Sequence, residues 1–245
     1  MDLHLKDKVA LVTGAASQIG YGRAIALTLA EEGCDIVVAD IDLDGARQTA
    51  DQVELLGRQA LAVKVDVMKQ TDVDDMVKKA LDKFGRIDIL VNNAGASSEL
   101  RPFLEMTEED WNFDIGVNLI GQMRVARAVL PHMISRKYGR IINASGGQGI
   151  PSISIYGAAK AGVVMFTQAL AREVASKGVI VNAVGPGLGK TGLVYRAPQE
   201  MLDGERQRSL LKRLCTPDDV APVVAFLASD RCSYMIGQLV QLSTS

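Results

Sequence analysis

The chain has 245 residues, 48% hydrophobic and 23% charged, with a formal net charge of -2. That length fits one large α/β domain spanning residues 1–245, and near-neutral charge without a long basic run leaves no footprint for nucleic acid. Two distant histidines and three cysteines without CxxC spacing argue against a metal centre or a disulfide framework. No apolar stretch approaches the roughly 20 residues of a membrane span, and the first residues lack the pattern of a signal peptide. A cytoplasmic protein without a membrane partner is the expectation.

In chain order, β-branched runs predict strands at Val9–Thr13, Asp35–Asp40, Ala60–Asp66, Ile87–Asn92, Arg140–Ser145, Val179–Val184 and Leu239–Leu242. Segments with apolar residues at helical spacing lie between them, such as Ala24, Leu27 and Ala30, then Val73, Met76, Val77 and Ala80. Strands apolar on both faces and joined by helices describe a doubly wound, seven-stranded parallel sheet with helices on both faces. In such a sheet, ligands bind beyond the carboxyl ends of the strands. The residues closing each strand are therefore the candidates.

The first strand runs into Gly14-Ala15-Ala16-Ser17-Gln18-Ile19-Gly20-Tyr21-Gly22 and a helix. Glycines here let the backbone turn tightly and approach a pyrophosphate at the helix N-terminus. Asp40 closes the second strand, beside Ile41. A carboxylate there suits the adenosine ribose hydroxyls and repels a 2′-phosphate, so NAD is the expected cofactor.

The sequence resembles the short-chain dehydrogenase/reductase family, whose domain is Rossmann-like. Further stretches carry the resemblance: Asp66-Val67, Asn92-Asn93-Ala94-Gly95, Tyr156-Gly157-Ala158-Ala159-Lys160, and Pro186-Gly187 followed by Thr191. Tyr156 and Lys160, four apart, share a helix face. The resemblance implies a hydride transfer between nicotinamide and a small-molecule secondary alcohol or ketone. Tyr156 would be the general acid/base, with Lys160 lowering its pKa and holding the nicotinamide ribose. Asn118 would kink its helix and hold a water. Asp66 and Val67 would contact adenine, and Asn93, Ala94 and Gly95 would line the cofactor. Pro186, Gly187 and Thr191 would approach the carboxamide.

Three departures stand out. The glycine turn is two residues longer than the family's, with Gly14, Gly20 and Gly22 as its three glycines and Ser17, Gln18 and Ile19 in the arc. Direct counting puts the family's catalytic serine at Gly146, while a one-residue shift gives the role to Ser145; Gln148 and Ser152 stand behind it. The family's C-terminal Asp-Gly-Gly is missing. Two alternatives therefore remain beside the alcohol dehydrogenase: a 3-oxoacyl thioester reductase, and a dinucleotide-binding protein whose turnover is impaired by loss of the serine. Apolar residues on more than one side of the helices predicted at Glu108–Ile134 and Ser154–Ser176 lead to an expected subunit contact, and the resemblance implies a homotetramer, so that or a homodimer is the expectation. The substrate pocket is expected from segments 96–103, 147–155 and 188–214, the last of them a charged stretch with the character of a lid.

Overall fold

The computed structural model describes residues 2–98, 100–146, 151–189 and 199–242. Its centre is a sheet of β1 (Val9–Thr13), β2 (Asp35–Asp40), β3 (Ala60–Lys64), β4 (Ile89–Asn92), β5 (Gly139–Ala144), β6 (Val179–Pro186) and β7 (Leu239–Leu242). All neighbours pair in parallel, in the order β3-β2-β1-β4-β5-β6-β7. The chain winds outward from β1 to β3, then restarts on the other side of β1 at β4. Strand order reverses there, and the crevice between the ends of β1 and β4 is where a ligand fits.

Alternation along the strands divides the core in two. Ala10, Val12, Ile36 and Val38 face α1 (Tyr21–Glu31), α2 (Leu43–Leu55) and α8 (Pro217–Ala228). Val9, Leu11, Val37 and Ala39 face α3 (Gln70–Phe84), α5 (Gly121–Ser135) and α6 (Ser154–Val174). Each β-strand turns successive side chains to opposite faces, so apolar residues on both registers require helices on both sides. Two shorter helices, α4 (Glu108–Ile115) and α7 (Gln199–Arg208), flank the carboxyl ends. A reciprocal pair starts α4: Asp110 N donates to the Thr107 hydroxyl, while Asp110 accepts from the Thr107 amide.

The predicted strands all form, with small shifts at their ends. β3 stops at Lys64, leaving Asp66 and Val67 in the following turn, and β6 extends to Pro186. The helix predicted at Glu108–Ile134 is broken: a π-helical segment, Gly116–Ile120, separates α4 from α5. No described helix is long and apolar enough to cross a membrane.

Candidate active site

The glycine turn packs against the end of β4. Gly14 has a φ of 69°, and a Cβ there would lie 2.7 Å from Ala94 Cα, so both conformation and space demand glycine. Asn93 stitches the two strands together: its side-chain amide donates to the carbonyls of Thr13 (3.0 Å) and Gly14 (2.9 Å). The Thr13 hydroxyl in turn accepts from the amides of Asn93 and Ala94, each at 3.1 Å. Gly20 caps α1 without a side-chain bond, which leaves the positive end of the helix open to an anion. Ser17, Ile19 and Gly22 complete the arc. Gln18 does not present its side chain to that opening. Its amide donates to the Ala16 carbonyl at 2.9 Å and accepts from Gln52 on α2 at 3.0 Å, bracing the lengthened turn.

Asp40 stands beside this turn, where its carboxylate accepts from the Ala16 amide at 2.9 Å and the Asp42 amide at 3.1 Å. Ile41 next to it and Ile19 across the turn are exposed. One cation lies nearby that sequence adjacency did not reveal: Lys64, exposed on β3, is the register partner of Asp40. Asp66 holds its own turn by accepting from the Met68 amide at 2.9 Å, and Val67 is buried beneath it.

The catalytic candidates converge at the carboxyl ends of β4 and β5. Tyr156 and Lys160 lie on one face of α6, both buried, with the ammonium 5.6 Å from the phenol ring centroid. Lys160 Nζ donates to the Ala144 carbonyl at 3.0 Å. Asn118, inside the π segment, donates to the carbonyls of Ala96 (2.5 Å) and Asp114 (2.8 Å), while its buried Oδ1 has no partner among the described residues. A Cβ on Gly95 would lie 2.8 Å from that oxygen and 3.3 Å from Lys160 Nζ, so glycine keeps a small polar space open between them. Burial raises the Tyr156 pKa above its ordinary value and pushes Lys160 down to about 8. Desolvation favours the neutral form of both groups, and the lysine's bond goes to a carbonyl rather than to the phenol.

Ser145 departs from expectation. It is buried, and its hydroxyl donates to the Lys160 carbonyl at 3.0 Å. A hydroxyl has one hydrogen, so while this bond stands it has none to give to a substrate oxygen. Gly146 has a φ of 127°, and a Cβ there would lie 2.8 Å from the Pro186 carbonyl oxygen. The backbone at 146 has no room for a serine. Gln148 lies outside the described residues, and Ser152 sits in the left-handed region with a φ of 65°.

Pro186 and Gly187 close the site from the end of β6. Thr191 lies outside the described residues. A cavity of about 330 Å³ opens here, lined by Gly187, Leu188, Leu214, Cys215 and Gln241 among others. The charged stretch beyond it is largely self-paired: Arg206 with Asp203 at 2.7 Å, Arg208 with Glu205 at 3.2 Å, and Arg213 with Asp219.

Two residues of the site went unread in the sequence. Tyr21, the first residue of α1, donates its hydroxyl to the Gly187 carbonyl at 3.2 Å and so bridges the glycine turn to the end of β6. An aromatic set between Gly20 and Gly22 was the available signal. Asp114 is a fully buried carboxylate close to Tyr156. It is the only buried residue of α4, among exposed or part-buried neighbours that gave no sign of its surroundings.

Comparison with known proteins agrees with this architecture. Residues 14–243 match the family described as Enoyl-(Acyl carrier protein) reductase. The chain is 37% identical over 241 residues to the 3-oxoacyl-(acyl-carrier-protein) reductase FabG of Thermotoga maritima, covering 97% of each chain. It is 40% identical over 243 residues to the (2S)-((R)-hydroxy(phenyl)methyl)succinyl-CoA dehydrogenase subunit BbsD of Thauera aromatica, covering 96% of this chain and 95% of that one. A short-chain type dehydrogenase/reductase from Mycobacterium marinum superposes with a TM-score of 0.93 at 30% identity, over 99% of this chain and 96% of that chain. The chain belongs to the short-chain dehydrogenase/reductase family. It is an oxidoreductase that works with a nicotinamide dinucleotide.

Proposed function

We propose that this protein is an NAD-dependent dehydrogenase or ketoreductase in which Tyr156 exchanges the proton of a secondary alcohol or ketone. The observation that carries the reading is the convergence of Lys160 Nζ and Asn118 Oδ1, which has no partner among the described residues, around Gly95 at the switch point of the sheet, with Tyr156 one turn from Lys160 on the same face of α6.

The residues present fit the dinucleotide. The open start of α1 and the Gly14–Gly22 turn suit a pyrophosphate. Asp40, with Ile41, suits an adenosine ribose lacking a 2′-phosphate, and Asp66 and Val67 lie toward the adenine end. Asn93, Ala94, Gly95, Pro186 and Gly187 line the rest, and Thr191 is assigned to the carboxamide. When bound, the dinucleotide supplies or accepts the hydride. The chain's part is the proton: the neutral Tyr156 phenol donates it to a ketone oxygen in reduction and recovers it in oxidation. Lys160 holds the nicotinamide ribose and, when charged, stabilises the phenolate. The buried Asn118 oxygen suits a water beside Lys160, since buried polar atoms normally find a partner.

A 3-oxoacyl thioester is the second substrate class, favoured because both quoted relatives are named for acyl thioester chemistry. Lys64 beside Asp40 would soften the preference for NAD. A homotetramer or homodimer, joined through the outer faces of α5 and α6, and a cytoplasmic location complete the proposal. The test is a panel of secondary alcohols with NAD and of acetoacetyl-CoA with NADH, followed at the NADH absorbance. Turnover of one class supports the reading; no turnover of either, in protein that binds NADH, leaves the impaired dinucleotide-binding protein in its place.

A further inference from the structure

Tyr21 is the first residue of α1, set between Gly20 and Gly22 in the lengthened glycine turn. Its hydroxyl donates to the Gly187 carbonyl at 3.2 Å, just beyond the end of β6. In the sheet, β4 and β5 lie between β1, which carries the turn, and β6. The phenol therefore helps to bridge strands that stand three spacings of about 4.8 Å apart. No other hydrogen bond among the described residues joins these two segments.

Both ends of the bridge are held by their own backbone. A Cβ on Gly22 would collide with the Gly14 carbonyl, so the start of α1 is packed directly onto the turn. On the other side, Gly189 pairs with Cys215, and the Cys215 amide donates to the Leu188 carbonyl at 3.1 Å. A Cβ on Gly189 would collide with the Tyr21 hydroxyl and lie 2.8 Å from the Cys215 carbonyl oxygen. Glycine at 189 thus leaves the phenol its space. Burial raises the Tyr21 pKa above its ordinary value, so the group stays a neutral donor at working pH.

We propose that Tyr21 is a positioning residue for the dinucleotide: from the glycine turn its hydroxyl fixes the end of β6, so that the pyrophosphate and carboxamide halves of the site are joined before the ligand arrives. This rests on the reading above, in which the turn takes the pyrophosphate and Gly187 lines the carboxamide end. A site whose halves are already fixed spares a spanning ligand the cost of ordering them. A ligand that occupies one half alone gains nothing from the bridge.

The test is calorimetric titration of wild type and Y21F with two ligands. One is ADP, which reaches no further than the pyrophosphate half. The other is whichever of NADH and NADPH wild type binds more tightly. A preference for NADPH would sink the cofactor choice proposed above and leave this comparison intact. Y21F is expected to weaken the full dinucleotide by about five- to tenfold, the usual worth of one hydrogen bond, and ADP by less than about twofold. A merely structural role for Tyr21 would lower Tm and weaken both ligands alike. Equal losses, or no loss, in folded Y21F overturn the proposal. Should Y21F fail to fold, G189A decides, because it keeps the phenol but drives its hydroxyl off the Gly187 carbonyl. G189A is expected to weaken the dinucleotide and spare ADP; binding of both as in wild type, or an equal loss of both, overturns the proposal.

Discussion

Lys160 buries its ammonium on the carbonyl oxygen of Ala144, at 3.0 Å. The same oxygen accepts from the Gln122 side-chain amide, also at 3.0 Å, so removing the lysine leaves no orphaned carbonyl. Lys160→Met is therefore expected to keep or raise Tm at neutral pH while lowering kcat by about a hundredfold or more. The pH dependence has a definite sign. Lys160 is a base whose folded pKa, about 8, lies below its ordinary value of 10.5, so the folded state is penalised wherever the lysine is charged. The penalty is full below pH 8 and fades as pH rises toward 10.5, so any stability advantage of the methionine variant should shrink over that window. Thermal melts across pH check it; an advantage that grows with pH contradicts the assignment.

Ser145 serves the backbone of α6 through its bond to the Lys160 carbonyl. Ser145→Ala should cost about 1 kcal/mol of stability, the usual worth of such a bond, and leave kcat/KM within about tenfold of wild type. A loss near a hundredfold at unchanged Tm would return the hydroxyl to the substrate oxygen.

Gly146 meets the Pro186 carbonyl so closely that a side chain has no place. Gly146→Ser should destabilise the protein by at least about 1–2 kcal/mol, from left-handed strain alone, and should not raise activity. A stable, more active Gly146→Ser would show that the backbone accepts the family's serine after all.

The outer faces of α5 and α6 leave an apolar groove of about 510 Å³, lined by Met123, Leu130, Pro131, Ile134, Phe166 and Leu170. Val125, Val129 and Val163, apolar in the same helices, belong to the chain's own core. Light scattering of wild type is expected to show a dimer or tetramer, and Phe166→Glu to dissociate it. A wild-type monomer at micromolar concentration contradicts the assembly.

The strands were legible because local pattern determines them: Val9–Thr13 and Asp35–Asp40 are β-branched runs bounded by polar residues, and they form within those bounds. β4 begins at Ile89 rather than Ile87; just before it the Asp88 backbone bonds Val9 and Arg140, and its carboxylate also accepts from the amide of Val9 at 2.9 Å. That partner is 79 residues away, beyond any local pattern. The same limit hid Tyr21, whose partner Gly187 is 166 residues distant, and Lys64, which meets Asp40 only through strand register. Asn118 was found through its place in a family pattern, and a break in the helix does lie there. Ser145 was left open beside Gly146 because one residue of backbone shift decides whether a strand-end hydroxyl faces substrate or helix.

Tyr156 carries the central claim, and replacing it with phenylalanine removes only the phenol oxygen. The direct measurement is steady-state turnover of Y156F beside a calorimetric titration with NADH. The proposed chemistry requires kcat to fall by about 10²–10⁴-fold while NADH affinity and Tm stay near wild type. A Y156F enzyme that keeps more than about a tenth of wild-type kcat would contradict it.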